Sequence, residues 1–273
     1  MYKIAGSNPA LATDFLTLTQ TCIMKKFNLD LVKGRIEFID NRFYSTGDGY
    51  VPSVTTILEA YPKDASYFKW LKDVGSDADS IRDEAGRRGS VVHELTEQYD
   101  CGEECTFINL NGKPQFKMME WSMFERYVDF VAMHNPKNWA MELHMASASL
   151  GFAGTLDRVM EINGKMMLID IKTSNSLYPY FWLQLSAYHQ LLLQHDSNID
   201  IQGVGVLWLN AKTRTVGKNG AIQGIGWQLV TKDMEELKQD WELFKSTHKL
   251  WNALNKDIKP KQLSYQLTHK RNG

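Results

Sequence analysis

Gly154-Thr-Leu-Asp-Arg-Val-Met-Glu-Ile-Asn-Gly-Lys-Met-Met-Leu-Ile-Asp-Ile-Lys172 is the run that decides the fold of this chain. Two apolar-rich segments flank Asn163-Gly164 near its middle. This dipeptide favours a two-residue hairpin turn, because type I′ turns need positive φ at both central positions. The sequence therefore predicts two antiparallel strands in which Ile162 faces Lys165.

This register brings two carboxylates together. Asp157 is then directly opposite Asp170, and Thr155 is opposite Lys172. Side chains alternate along a strand, so all four residues share one face of the hairpin. Like charges directly opposite each other destabilise a sheet, whereas a divalent cation between them removes the repulsion. Hard oxygen ligands suit Mg²⁺ or Mn²⁺.

A second interpretation stays open for the same residues. Asp157, Asp170 and Lys172 also fit an ordinary surface hairpin with solvated charges. The cross-strand register favours a site, in which the Lys172 ammonium reaches a phosphate or a water molecule at the metal. Glu142 is either a further metal ligand or a solvated residue of an edge strand.

Further motifs flank the hairpin in a fixed order. Asp157 is followed thirteen residues later by Asp170-Ile-Lys172, and Gln184-x-x-x-Tyr188 comes after it. Gly86-x-x-Gly89-x-x-x-His93 and Tyr50-Val-Pro-Ser-Val-Thr-Thr-Ile-Leu58 come before it. Together these segments resemble the PD-(D/E)XK nuclease superfamily and its RecB-like branch, including phage exonucleases related to the mitochondrial genome maintenance exonuclease. Leu156 stands where the family pattern has proline.

The resemblance implies a fold, a chemistry and a set of site residues. The fold is α/β, a restriction-endonuclease-like αβββαβ core with a central mixed sheet and added N-terminal helices. The implied chemistry is Mg²⁺- or Mn²⁺-dependent hydrolysis of phosphodiester bonds in DNA. The expected catalytic residues are Asp157, Asp170, Lys172, Gln184 and Tyr188. The expected metal ligands are His93, Glu142, Asp157, Asp170 and the carbonyl group of Ile171. The expected nucleic-acid contacts are Arg82, Arg87, Arg88, Thr173, Ser174, Gln184 and Tyr188.

Composition limits the choice of partners. The chain has 273 residues, 43% of them hydrophobic, and a net charge of −1. A protein that coats duplex DNA is usually basic, so positive charge must be concentrated locally here. Candidates besides the arginines near His93 are the loop from Lys212 to Lys218 and a tail with Lys256, Lys259, Lys261, Lys270 and Arg271. Single-stranded DNA entering a narrow channel fits these observations. No apolar run is long enough to predict a membrane span.

Cysteine usage points to a reducing compartment. The cysteines are Cys22, Cys101 and Cys105, an odd number without a secretory signal pattern. We therefore expect a cytoplasmic protein, and the family resemblance implies a bacterium or a phage-infected cell as its source. A four-cysteine iron–sulfur cluster, which some RecB-like nucleases carry, is not expected.

The chain divides into three parts by pattern. Residues 1–26 read as an N-terminal extension, and 27–255 as one nuclease domain, with a helical part at 27–135 and a catalytic sheet core at 136–255. Residues 256–273 form a basic tail. Within the domain, Ser53, Asp64 and Asp233 are expected to begin helices. Longer helices are predicted over 77–99, 114–134 and 179–194.

The predicted function is that of a metal-dependent DNA exonuclease, acting on single-stranded DNA or DNA ends in replication, recombination or repair. Recombination or replication proteins are conceivable partners. Two alternatives stay open: a recombination or packaging factor that keeps a silent nuclease fold, and a metal-dependent enzyme that acts on another phosphoester.

Overall fold

The structure is a computed structural model that describes residues 35–38, 41–46, 49–211, 215–216, 222–223, 226–256 and 258. The predicted N-terminal extension, most of the basic loop after Ala211 and the tail beyond residue 258 lie outside these residues. The helices are α1 (Val54–Ile57), α2 (Ala65–Val74), α3 (Ala78–Asp100), α4 (Met118–His134), α5 (Tyr180–His195) and α6 (Met234–Leu254). Short 3-10 turns follow α1 (Leu58–Ala60) and α2 (Gly75–Asp77). The strands are β1 (Arg35–Phe38), β2 (Asn41–Ser45), β3 (Tyr50–Pro52), β4 (Lys137–Ser147), β5 (Phe152–Ile162), β6 (Lys165–Lys172), β7 (Gly203–Trp208), β8 (Thr215–Val216), β9 (Ile222–Gln223) and β10 (Gln228–Lys232).

The central sheet is mixed, as the αβββαβ pattern predicts. Within the described part of the chain it has five strands in the order β10-β7-β6-β5-β4. Strands β4, β5 and β6 form an antiparallel meander, and β7 pairs in parallel with β6 after the α5 crossover. β4 is an edge strand, as one interpretation of Glu142 requires. This arrangement confirms the predicted α/β fold.

The central hairpin has the predicted turn and register. Asn163 and Gly164 both have positive φ, 52° and 77°. Ile162 pairs with Lys165, and the ladder continues in the same register to Arg158 and Ile169. The local turn chemistry therefore sets the pairing of β5 with β6.

Side-chain caps begin several helices where the sequence predicts them. The Ser53 hydroxyl accepts a hydrogen bond from the Thr56 N–H, the Asp64 carboxylate from Tyr67, and the Asp233 carboxylate from Glu235 and Glu236. Helix α4 begins at Met118, four residues later than Pro114, where the sequence predicted it. The Glu120 carboxylate accepts from the Lys117 N–H at 2.7 Å and fixes this later start.

Two hydrophobic cores lie on opposite sides of the sheet. Leu168 of β6 packs in the core that contains residues of α1, α5 and α6. Ile169 and Ile171 of the same strand pack in the core that contains residues of α3 and α4. This alternation follows the pleat of the strand, and it places the buried Asp170 on the same face as Leu168. Among the described helices, none has the length and apolarity needed to cross a membrane.

Candidate functional site

The site lies where β5 and β6 separate. The backbone ladder between them ends at Arg158 and Ile169, one step before the two aspartates. At this point the Asp157 Oδ2 atom accepts a hydrogen bond of 2.7 Å from the Ile171 N–H. A carboxylate thus takes the place of a backbone acceptor, and the strand edges open into a cleft.

Three predicted metal ligands meet beside this opening. His93 Nδ1 of α3 is 3.6 Å from Glu142 Oε1 and 3.7 Å from Asp157 Oδ1. One ligand atom from each of the three residues lies within 4.8 Å of the others. The other ring nitrogen of His93, Nε2, is 3.1 Å from the carbonyl oxygen of Ile171. The geometry therefore brings together four of the five ligands expected from the sequence.

Glu142 reaches this cluster through an irregular backbone. Its φ is +45°, a left-handed conformation that is uncommon for residues other than glycine. The β4–β5 ladder pairs Met141 with Arg158 and Leu143 with Leu156, on either side of Glu142. Such local strain in a non-glycine residue is frequent at functional sites.

Burial and crowding of charge shift the pKa values of the cluster. Burial raises the pKa of Asp157 to about 7; the carboxylates of Asp170 and Glu142 act in the same direction, and a protonated His93 opposes them. Burial alone would lower the pKa of His93, but the Asp157 and Glu142 carboxylates outweigh it and raise this pKa to about 9. The negative charge of the cluster therefore exceeds the positive charge that its own side chains supply.

Asp170 is the fifth predicted ligand and has an unusual environment. Its side chain is fully buried, and neither carboxylate oxygen has a hydrogen-bond partner within the described structure. Lys172 Nζ lies 2.6 Å from Oδ2, in a contact that lacks hydrogen-bond geometry. Lys172 also donates to Gln184 Oε1 at 3.0 Å and lies 4.8 Å from the centre of the Phe181 ring.

Helix α5 supplies one wall of the site. The Gln184 amide donates to the Tyr188 hydroxyl at 2.8 Å, as expected for residues one helical turn apart. Gly154 of β5 allows the Tyr188 ring to approach, because a Cβ at this position would lie 2.3 Å from a ring carbon. The chain Lys172–Gln184–Tyr188 is thereby fixed along the cleft.

These residues line a cleft of about 730 Å³. The predicted residues on its wall are His93, Glu142, Asp157, Ile171, Lys172, Thr173, Ser174, Gln184, Tyr188 and Arg88. A Cβ on Gly89 would lie 3.4 Å from Thr173 Oγ1, so α3 passes close to the end of β6.

Two predicted nucleic-acid contacts lie outside the cleft wall. Arg82 forms an ion pair with Asp79 on the exposed side of α3. Arg87 pairs with Glu84 and with the buried Glu120 of α4. Neither side chain lines the cleft.

Some residues of the site were missed from the sequence. Arg158 is fully buried, and it donates to Asp100 at 2.9 Å, to Glu142 at 3.2 Å and to Thr96 at 3.1 Å. The available signal was an arginine at a strand position flanked by apolar residues. The network ties Glu142 to the helix that carries His93.

The N-terminal sheet contributes a second group of missed residues. The Tyr44 hydroxyl of β2 lies 3.0 Å from Thr155 Oγ1, which is 2.7 Å from His144 Nδ1. Thr155, predicted opposite Lys172, therefore has its side-chain contacts with β2 and β4. Arg42 of β2 also lines the cleft. No local pattern in the sequence indicates these contacts, because 111 residues separate Tyr44 from Thr155.

The donor set fits a divalent cation such as Mg²⁺ or Mn²⁺. It combines carboxylate oxygens, a backbone carbonyl and an imidazole, which are ligands of hard and borderline cations. The buried carboxylate of Asp170 is a further sign, because it has one ion-pair contact, with Lys172, and no hydrogen bond to replace its lost hydration.

Comparison with known proteins adds the following. The model of the PD-(D/E)XK nuclease superfamily matches residues 65–263. Among solved structures, an alkaline exonuclease from Laribacter hongkongensis matches with 10% sequence identity and a TM-score of 0.30, over 75% of this chain and 91% of that chain. This structural similarity is too low to support an argument. No curated protein matches the chain.

Proposed function

The chain belongs to the PD-(D/E)XK nuclease superfamily, and we propose that it is a Mg²⁺- or Mn²⁺-dependent exonuclease that hydrolyses single-stranded DNA or DNA ends. The observation that carries the proposal is the environment of Asp170. A fully buried carboxylate without hydrogen bonds, beside Asp157 and in contact with Lys172, costs stability unless a ligand compensates for it. In a nuclease, a metal ion that acts as this ligand also serves the hydrolysis.

The residues that would hold the cation are His93, Glu142, Asp157, Asp170 and the carbonyl group of Ile171. A bound cation would make a water molecule more acidic and would neutralise negative charge on the phosphate. His93 Nε2 lies 3.1 Å from the Ile171 carbonyl oxygen, so these two groups are already neighbours at the site.

Lys172 is the proposed group that orients the attacking water, and it helps to deprotonate that water only when its own amine is neutral. Its ammonium is held by Asp170 and Gln184 and lies over the Phe181 ring, so its position is fixed before substrate binds. A positive charge fixed in this way stabilises negative charge that develops in the transition state without reorganisation. Gln184 and Tyr188 extend the row and would position the strand that is cut.

DNA is the proposed substrate, in replication, recombination or repair in the cytoplasm of a bacterial or phage-infected cell. The cleft is lined by both acidic and basic side chains, which suits a strand that runs past a metal site. A net charge of −1 argues against a broad duplex-coating surface and favours a local channel for one strand.

Digestion of end-labelled DNA tests this function. Single- and double-stranded DNA, blocked at either end, are incubated with Mg²⁺, Mn²⁺ or EDTA. We expect cleavage with either metal, none in EDTA, and products that start from one unblocked end. Lys172→Ala should reduce the cleavage rate at least about a hundredfold, while its affinity for DNA should stay within about tenfold of that of wild type. Binding without cleavage by the wild type in either metal would instead identify a silent nuclease fold.

A further inference from the structure

The arginines that line the cleft differ from the other arginines with described side chains in the partners of their guanidinium groups. Arg42 of β2 and Arg88 of α3 both line the cleft. In each, the Nε atom is buried and has no hydrogen-bond partner. Within the described residues, neither guanidinium forms an ion pair, although Glu94 and Glu97 line the same cleft.

The other arginines with described side chains all have partners. Arg82 pairs with Asp79, and Arg87 with Glu84 and Glu120. Arg126 donates to the carbonyl of Leu209 at 2.7 Å, and Arg158 pairs with Asp100 and Glu142. The unpaired guanidinium groups of the described structure are therefore concentrated in the cleft.

We propose that Arg42 and Arg88 form a phosphate clamp that binds backbone phosphates of the DNA strand on either side of the bond that is cut. The clamp rests on the proposed nuclease function and deepens it. A guanidinium without an acidic partner gains most from a phosphate, whose oxygens accept charge-assisted hydrogen bonds from its terminal N–H groups. The planar guanidinium donates two parallel bonds to a phosphate, which makes arginine a better clamp than lysine.

The placement of the two arginines supports a strand rather than a small anion. Arg42 comes from the N-terminal sheet, and Arg88 from the helix that carries His93 five residues later. Two separate elements that line the cleft thus each supply one cation. The hydroxyl groups of Thr55 on α1 and Ser90 on α3 also line the cleft and can donate hydrogen bonds to a phosphate.

The clamp also explains how a chain with almost no net charge binds DNA. The net charge of the whole chain is −1, and the exposed Arg82 and Arg87, which lie outside the cleft, are neutralised by acidic neighbours. Nucleic-acid binding then needs few cations, provided that they are unpaired and face the substrate. The number of phosphates contacted is measurable, because each neutralised phosphate of a single strand adds about 0.7 to the slope of log affinity against log salt.

The test is a salt series of binding. Fluorescence anisotropy of a labelled oligothymidine is measured in Ca²⁺, with a gel check that the probe stays intact, for wild type, Arg42→Ala, Arg88→Ala and the double variant. We expect each single variant to lose about tenfold in affinity and about 0.7 in slope, and the double variant about twice that slope. Lys238→Ala removes one exposed charge on α6, outside the cleft, and should match wild type.

Lysine variants separate charge from geometry. Arg42→Lys and Arg88→Lys should recover the salt slope but not the full affinity, since lysine keeps the charge and loses the two-bond geometry. Melting temperatures of all variants, close to that of wild type, show that folding is unchanged. Unchanged slopes and affinities in the alanine variants of a protein that cleaves DNA would overturn the clamp and leave the nuclease function standing. A wild type that neither binds nor cleaves DNA would overturn both.

Discussion

Arg158 and Asp170 are both fully buried charged residues on neighbouring strands, and their surroundings are opposite. The guanidinium of Arg158 has protein partners around it: Asp100, Glu142, Thr96 and the backbone oxygen of Asp157. The carboxylate of Asp170 has no hydrogen bond within the described structure and a single cationic contact, from Lys172.

This difference separates scaffold from site. Removing a charge from water costs several kcal/mol unless good partners replace the lost hydration. The Arg158 network meets that requirement within the protein, and it fixes Glu142 relative to α3. Around Asp170 the Lys172 contact meets the requirement only in part, because both carboxylate oxygens lack hydrogen bonds, so a bound cation would stabilise this position most.

The largest expected effect is a loss of activity when Asp170, whose carboxylate has no hydrogen bond, is replaced. Asp170→Asn should reduce cleavage at least about a thousandfold, because a proposed metal ligand is lost. The unfolding free energy of the metal-free protein should change by no more than about 1 kcal/mol, since relief of repulsion from Asp157 offsets the lost contact with Lys172. Initial rates and urea unfolding measure the two quantities.

Asp129→Asn is the matched control for this variant, because Asp129 is exposed on α4 and lies outside the cleft. It should change neither rate nor stability. A strongly destabilised Asp170→Asn protein would mean that Asp170 is part of the scaffold, and the contrast with Arg158 would fail.

At the partnered position the effect should be on stability. Arg158→Met leaves the buried carboxylate of Asp100 and the partly buried carboxylate of Glu142 without their cation, and it should lower the unfolding free energy by about 3–5 kcal/mol. Arg82→Met removes an exposed ion pair and should cost within about 0.5 kcal/mol. Chemical denaturation of both variants at neutral pH decides the matter, and an equal, small loss for the two would refute the scaffold role of Arg158.

A smaller effect is expected from packing behind the cleft. Gly154→Ala places a Cβ 2.3 Å from the Tyr188 ring and should cost about 1–3 kcal/mol, with loss of the Gln184–Tyr188 position. Gly86→Ala, with no atom within 4 Å of its Cβ, should instead stabilise α3 by up to about 1 kcal/mol. Thermal melting of the pair checks the prediction. Equal effects would show that this wall of the cleft has room to adjust.

The hairpin and several helix starts were predictable because their causes are local. Asn163-Gly164 fixes the turn, and alternation along β6 then fixes which residues face each core. Ser53 and Asp64 act as caps through hydrogen bonds within three residues. Physical rules of short range are enough for such features.

Other features of the site depend on contacts between distant segments. The ladder ends one step before the aspartates, because Asp157 itself takes the Ile171 N–H. The sequence could not show that Arg87 is held by Glu120, 33 residues away, while Arg88 next to it faces the cleft. The same holds for Arg42, which the N-terminal sheet brings to the cleft.

Thermal melting with Mn²⁺ tests the central claim, that a cation compensates the buried carboxylates, most directly. A ligand that binds only the folded state stabilises it by RT ln(1 + [L]/Kd), about 1.4 kcal/mol when the free metal is at ten times Kd. The melting temperature of wild type should therefore rise steadily over a Mn²⁺ series, and that of Asp170→Asn should rise much less. No rise in wild type, or an equal rise in both proteins, would contradict the claim.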